Sequence, residues 1–150
     1  MHAATSHTPA ELALAQRASA HMFEADVASR NTMGMTLAQC TPGEALMHMT
    51  VQAQHLNGLG ICHGGFIFTL ADSAFAFACN SRNQATVASG CSIEFLEAAR
   101  LGDVLQATAS EQALRGRAGV YDIRVTNQDN KTIALFRGKS MAIKGTVLPD

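Results

Sequence analysis

The chain has 150 residues, 47% of them hydrophobic and 15% charged, with a formal net charge of −1 at pH 7. That length and composition fit one globular domain over residues 1–150 with a single substantial core, and they exclude a disordered chain. The near-neutral balance and six scattered histidines give no case for nucleic acid or a membrane surface as partner.

Residues 1–7 read as a flexible tail. Thr8-Pro9-Ala10-Glu11 is a capping box with Pro9 at the first helical position, and it opens a helix predicted to run to about Ala28. Met33–Gln39 and Ala45–Val51 are predicted strands around the turn Thr41-Pro42-Gly43-Glu44. The second alternates, with Leu46, His48 and Thr50 on one side and Met47, Met49 and Val51 on the other. The loop His55-Leu56-Asn57-Gly58-Leu59-Gly60 follows, then a helix over 64–80 that is apolar on nearly every side. Four further strands are predicted at Thr86–Leu96, Val104–Leu114, Gly119–Asn127 and Thr132–Ile143, with Gln128-Asp129-Asn130-Lys131 turning the last hairpin. One apolar helix among six strands argues an α+β fold, an antiparallel sheet wrapped around that helix, with an extra N-terminal helix.

The cysteines at 40, 62, 79 and 91 show neither C-x-x-C spacing nor a companion His pair. They read as reduced, packed thiols, with no metal site. Together with a start unlike a signal peptide, this gives a cytoplasmic expectation. The longest apolar run is broken by Asp72 and Asn80, so it does not read as a membrane span.

Two features of the apolar helix stand out. Gly64-Gly65 directly precedes it, which is either a tight turn or a helix N-terminus whose N–H groups are left open to a ligand oxygen. Asp72 lies within it, on a stripe with Thr69, Ser73, Ala76 and Asn80. Such a carboxylate is either a hydrogen-bonded structural group or a base or nucleophile. The helix contains no Lys or Arg to pair it. Gly65 and Asp72 are about 10 Å apart along one helix, a long reach for one reacting carbonyl. Two antiparallel copies across a twofold axis would bring them together, with two sites per dimer built from both chains.

The segment HLNGLGICHGGFIFTLADSAFAFACNS resembles the hot-dog-fold acyl-CoA thioesterases, in particular the phenylacetate-degradation (PaaI) family. TVASGCSIEFL and GVYDIRVTNQDNKTIALFRGKS carry the resemblance over most of the chain. It implies a hot-dog fold and hydrolysis of an acyl-CoA thioester, with an aryl-acetyl or ring-hydroxylated acyl group. It implies no metal or redox cofactor, coenzyme A being part of the substrate. The backbone N–H of Gly64 then polarises the carbonyl and Asp72 acts as general base or nucleophile. Asn57 and His63 help orient water and substrate, Gly65 adjoins the thioester, and Ser73 lends a supporting hydrogen bond. The family also implies homotetramers made of two dimers.

The resemblance has one departure. Glu97 in FLEAARLGD stands where relatives carry a basic residue for the CoA phosphates. Arg100, Arg137 and Lys139 are substitutes, although Arg137 and Lys139 also read as solvated charges on an edge strand. The adjacent Cys62-His63 is a poor nucleophile pair, because neighbouring residues rarely aim their side chains at each other. Phe66, Phe68, Phe75 and Phe77 are either an aromatic pocket or ordinary core. A hot-dog hydratase or dehydratase and a non-catalytic acyl-CoA sensor are the rival readings.

Overall fold

The computed structural model describes residues 5–150, so residues 1–4 of the expected tail lie outside it. The elements are α1 (Pro9–Ala25), β1 (Thr36–Thr41), β2 (Glu44–Thr50), α2 (Gly64–Cys79), β3 (Gln84–Phe95), β4 (Val104–Arg115), β5 (Ala118–Thr126) and β6 (Thr132–Thr146). The six strands make one antiparallel sheet in the order β1-β2-β4-β5-β6-β3. Helix α2 lies across one face.

Helix α1 begins as its capping box requires. The Thr8 hydroxyl accepts from the Glu11 N–H at 3.2 Å, and the Glu11 carboxylate accepts from the Thr8 N–H at 2.8 Å. It stops at Ala25 rather than Ala28 because Asp26 leaves helical geometry and caps the following turn. The Asp26 carboxylate accepts from the Ser29 N–H at 3.0 Å and the Ser29 hydroxyl at 2.8 Å, opening a π-helical turn at Ala28–Thr32. That extra turn moves β1 on to Thr36–Thr41 from its predicted place at Met33–Gln39.

The core follows the period of two. Ala45, Met47 and Met49 of β2, Leu105, Ala107 and Ala109 of β4, and Tyr121, Ile123 and Val125 of β5 are buried on the α2 side. Against them α2 buries Ile67, Leu70, Ala74, Phe75 and Phe77, so Phe75 and Phe77 are core residues rather than pocket walls. The Phe75 ring rests on the backbone of Gly138, where an added Cβ would lie 2.7 Å from it. Each of the larger buried side chains, the Met, Leu, Ile, Val and Phe, contributes roughly 1.5–3 kcal/mol by leaving water.

The order of strands corrects one expectation. β6 is an inner strand between β5 and β3, so Arg137 and Lys139 are not on an edge. The edge on that side is β3, the other edge being β1, and the twelve residues of β3 do not alternate: Ala85, Thr86 and Ile93 are partly covered and the others exposed. A long edge of this kind leaves a row of ladder N–H and C=O groups for another strand. Cys91 sits on it, exposed, and departs from the expected packed thiols. Cys40 and Cys62 are buried and Cys79 is half-buried.

Candidate active site

The loop between β2 and α2 is tied at both ends. The His63 N–H donates to the His55 carbonyl at 2.8 Å, and the Asn57 N–H donates to the Ile61 carbonyl at 2.8 Å. Inside it, Asn57 Oδ1 accepts from the Leu59 N–H at 2.9 Å and the Ile61 N–H at 3.3 Å. With that oxygen committed twice, the Asn57 NH₂ group remains as a donor. Asn57, Gly64, Phe95 and Glu97 line a single groove of about 290 Å³, with Ile61 and Ile67 among its apolar walls.

The two glycines at the start of α2 are not equivalent. His63 is the N-cap, and its Nδ1 accepts from the Gly65 N–H at 3.0 Å, which puts the ring proton on Nε2. The Gly65 N–H is therefore occupied. The Gly64 N–H has no partner among the described residues, and it belongs to the residue that lines the groove. A Cβ at Gly64 would lie 3.1 Å from the ring of Phe95, an exposed side chain that would have to give way by a few tenths of an ångström.

Asp72 lies eight residues beyond Gly64, about 12 Å along the helix axis. Its side chain is half-buried and forms no ion pair among the described residues. Burial alone pushes its pKa above the ordinary 3.8. The polar stripe predicted around it is narrower than the sequence suggested. At about 100° per residue, Ser73 and Asn80 lie a quarter-turn round the helix from Asp72 and face inward. Ser73 is buried, its Oγ donating to the Thr69 carbonyl at 2.7 Å and lying 3.0 Å from Ser29 Oγ. Asn80 exchanges two hydrogen bonds of 2.9 Å with the backbone of Thr86. Ser73 is thus built into the anchor of the π-helical turn and does not line the groove.

Arg137 and Lys139 point away from α2, since their neighbours Phe136, Gly138 and Ser140 are the buried side of β6. The Arg137 guanidinium is already paired with Asp122 through bonds of 2.6 and 2.7 Å, which hold the Asp122 carboxyl below its usual range. Neither cation meets the groove within one protomer. Cys62 is a poor nucleophile on direct grounds: burial, with Asp103 second, pushes its thiol up to about 11.

One residue went unnoticed in the sequence because it reads as loop. His55 is 1% exposed, its Nδ1 accepts from the Gln52 N–H at 3.0 Å, and its ring lies 5.0 Å from that of Phe66. Its Nε2 is the one buried side-chain nitrogen or oxygen without a protein partner among the described residues. Leaving a buried donor unpaired costs about 1–3 kcal/mol.

The chain matches the model of the thioesterase superfamily over residues 59–134, a span containing Gly64 and Asp72. It is 49% identical over 126 residues to the acyl-coenzyme A thioesterase PaaI of Escherichia coli K12, covering 84% of this chain and 89% of that protein. The chain belongs to the thioesterase superfamily. The structure of the E. coli PaaI protein superposes with a TM-score of 0.88 at 47% identity, covering 91% of this chain and 98% of that one. A hypothetical thioesterase of Streptococcus pneumoniae solved with coenzyme A gives 0.72 at 25% identity, over 75% and 90% of the two chains.

As a thioesterase of the hot-dog fold, the protein is a hydrolase of thioester bonds, which sets aside the hydratase and the sensor. Its unpaired Asp72 has a measurable consequence. Because the folded chain raises this pKa, the group favours folding below the ordinary 3.8, and the benefit disappears as pH rises through the raised value. The side chain is partly solvated, so screening keeps the effect below about 1 kcal/mol. Asp72→Asn is expected to raise Tm near neutral pH by about 1–3 °C. The gain should vanish in acid, and calorimetry across pH checks both.

Proposed function

We propose that this thioesterase hydrolyses aryl-acetyl-CoA, phenylacetyl-CoA or its ring-hydroxylated forms, to the free acid and CoA in phenylacetate catabolism. The observation that carries the reaction is a free N–H at Gly64 on the same helix as an unpaired, half-buried Asp72. Similarity to a relative named acyl-coenzyme A thioesterase PaaI, whose structure is described as from the phenylacetic acid degradation operon, supports the substrate.

In this reading the thioester oxygen takes a hydrogen bond from the Gly64 N–H. Asp72 removes a proton from water, whose oxygen forms a bond to the acyl carbon. The tetrahedral intermediate collapses, the C–S bond breaks, and the CoA thiolate leaves and recovers the proton. The Asn57 NH₂ supplies a second donor to the water or the oxyanion. His63 acts by fixing the helix start and occupying the Gly65 N–H. In the alternative route Asp72 attacks directly; ¹⁸O from solvent entering the Asp72 carboxylate in a single turnover would select it. The groove's apolar walls suit an uncharged segment of the substrate, and its charged lining residue, Glu97, keeps the CoA phosphates outside.

The assembly is a homodimer whose α2 helices run antiparallel, so that Gly64 of one protomer serves Asp72 of the other, and two dimers pair into a tetramer. The open β3 edge and the half-buried side of α2 that carries Asp72 support this reading. The deciding assay is thiol release from phenylacetyl-CoA, ring-hydroxylated phenylacetyl-CoA and short and long aliphatic acyl-CoAs. Aryl-acetyl kcat/KM is expected to exceed the aliphatic values by at least about tenfold. An aliphatic preference would overturn the substrate assignment and leave the thioesterase.

A further inference from the structure

We infer that His55 is the positioning residue of the active-site loop, acting through its Nδ1 to hold Asn57 and the Gly64 N–H in register. The inference rests on the roles proposed for Asn57 and Gly64. It begins from a residue that stability alone does not explain. The imidazole satisfies one donor, the Gln52 N–H, and leaves another, its own Nε2–H, without a protein partner. An apolar side chain of similar volume would bury the same surface with no unpaired nitrogen.

What His55 provides is a joint between three parts of the site, two of them made by its ring and one by its backbone. Its Nδ1 pins Gln52, two residues beyond the end of β2. Its backbone carbonyl receives the His63 N–H at 2.8 Å, closing the loop in which Asn57 is held. Its ring lies 5.0 Å from Phe66 in the first turn of α2, and Phe66 in turn lies 6.2 Å from the His63 ring. His55 therefore touches the segment just after β2 and the first helical turn with its ring, and the cap of the helix with its backbone. Rotation of the ring would disturb the loop holding Asn57 and the helix start carrying Gly64. The Gln52 N–H bond is what prevents that rotation. Burial also lowers the imidazole pKa, which keeps Nδ1 an acceptor.

The test uses three variants that differ in which ring edge they imitate. Asparagine places its carbonyl oxygen near Nδ1, glutamine reaches toward Nε2, and leucine offers neither. His55→Asn is expected to hold kcat within about threefold of wild type. His55→Gln and His55→Leu are expected to lose about tenfold or more in kcat with little change in KM, because misplacing catalytic donors costs rate. Thermal stability should not follow that order, and His55→Leu should be at least as stable as wild type. Rescue by glutamine but not asparagine, or full activity in His55→Leu, would overturn the inference. If His55→Leu does not fold, the Asn and Gln pair decides alone.

A second readout separates this inference from the proposed function. The Leu59 and Ile61 amides that Asn57 Oδ1 holds should exchange at least about tenfold faster with deuterium in the Gln variant than in the Asn variant. That difference is expected whether or not any tested thioester is turned over. Equal exchange in the two variants would overturn the positioning role, and absent turnover by wild type would overturn the substrate reading instead.

Discussion

Gly64→Pro is expected to abolish most turnover while leaving the fold intact, with kcat falling about 10²–10³-fold, the range found for loss of one oxyanion-hole donor. The substitution is unusually clean here. Gly64 is the first residue of α2, where proline is well tolerated because its missing N–H has no helical partner to lose. The preceding residue, His63, already has φ −61° and ψ 132°, the extended backbone that a following proline demands. The new ring would press on Phe95, an exposed side chain with room to move. So the variant removes a hydrogen-bond donor and little else. Gly64→Ala meets the same Phe95 ring but keeps the N–H, and its loss should stay below about tenfold. Steady-state thiol release with circular dichroism on both variants checks the pair. Equal losses in the two would mean that steric displacement of Phe95, not the N–H, controls the rate.

The contrast between Gly64 and Gly65 marks where sequence reasoning stops. The pattern HGG before an apolar helix locates a helix N-terminus, and both glycines are then equally good donors. What separates them is the His63 side chain folding back onto the Gly65 N–H, a capping geometry set by one rotamer. The element order and most boundaries were readable because turn residues and periodicity are local signals. Strand order was not. β6 alternates and β3 does not, yet which one forms the edge depends on pairings between residues far apart in the chain, such as Glu94 with Leu135. For the same reason Arg137 and Lys139 looked available for phosphates until the sheet turned them to the face opposite α2.

Helical spacing was read correctly but too broadly. Asp72 and Ser73 lie three and four residues after Thr69, about 60° to one side of it and about 40° to the other. They are therefore about 100° apart, enough to place Ser73 beside Asp72 on paper and in the core in fact. Asp72 itself was legible, since an unpaired acidic residue in an apolar helix breaks local consistency, and such breaks cluster at functional sites. His55 breaks the same rule but sits in a loop sequence, where a polar residue raises no question. Its signal is burial, which the sequence does not display.

The largest single effect is expected at Asp72. Replacement by asparagine keeps the shape and hydrogen-bonding capacity of the side chain and removes its basicity, so kcat should fall about 10³-fold, within the range for loss of a general base. Wild-type kcat/KM should also rise with pH along an acid limb set by the ionisation of Asp72, and that limb lies above the ordinary 3.8 because burial disfavours the carboxylate. Both outcomes hold whether the base and the oxyanion donor come from one chain or two. Mixing distinguishes these cases. If each site takes Gly64 from one protomer and Asp72 from the other, a heterodimer of Gly64→Pro and Asp72→Asn chains holds one doubly damaged site and one with neither change. Random reassociation makes about half the dimers heterodimers, each with one of two sites intact, so about a quarter of wild-type activity should return. If both groups come from the same chain, every site in the mixture carries one lesion and activity stays at the level of the parents. The separation of about 12 Å along α2 makes the shared site the expected result, because no single acyl carbon lies within reach of both ends.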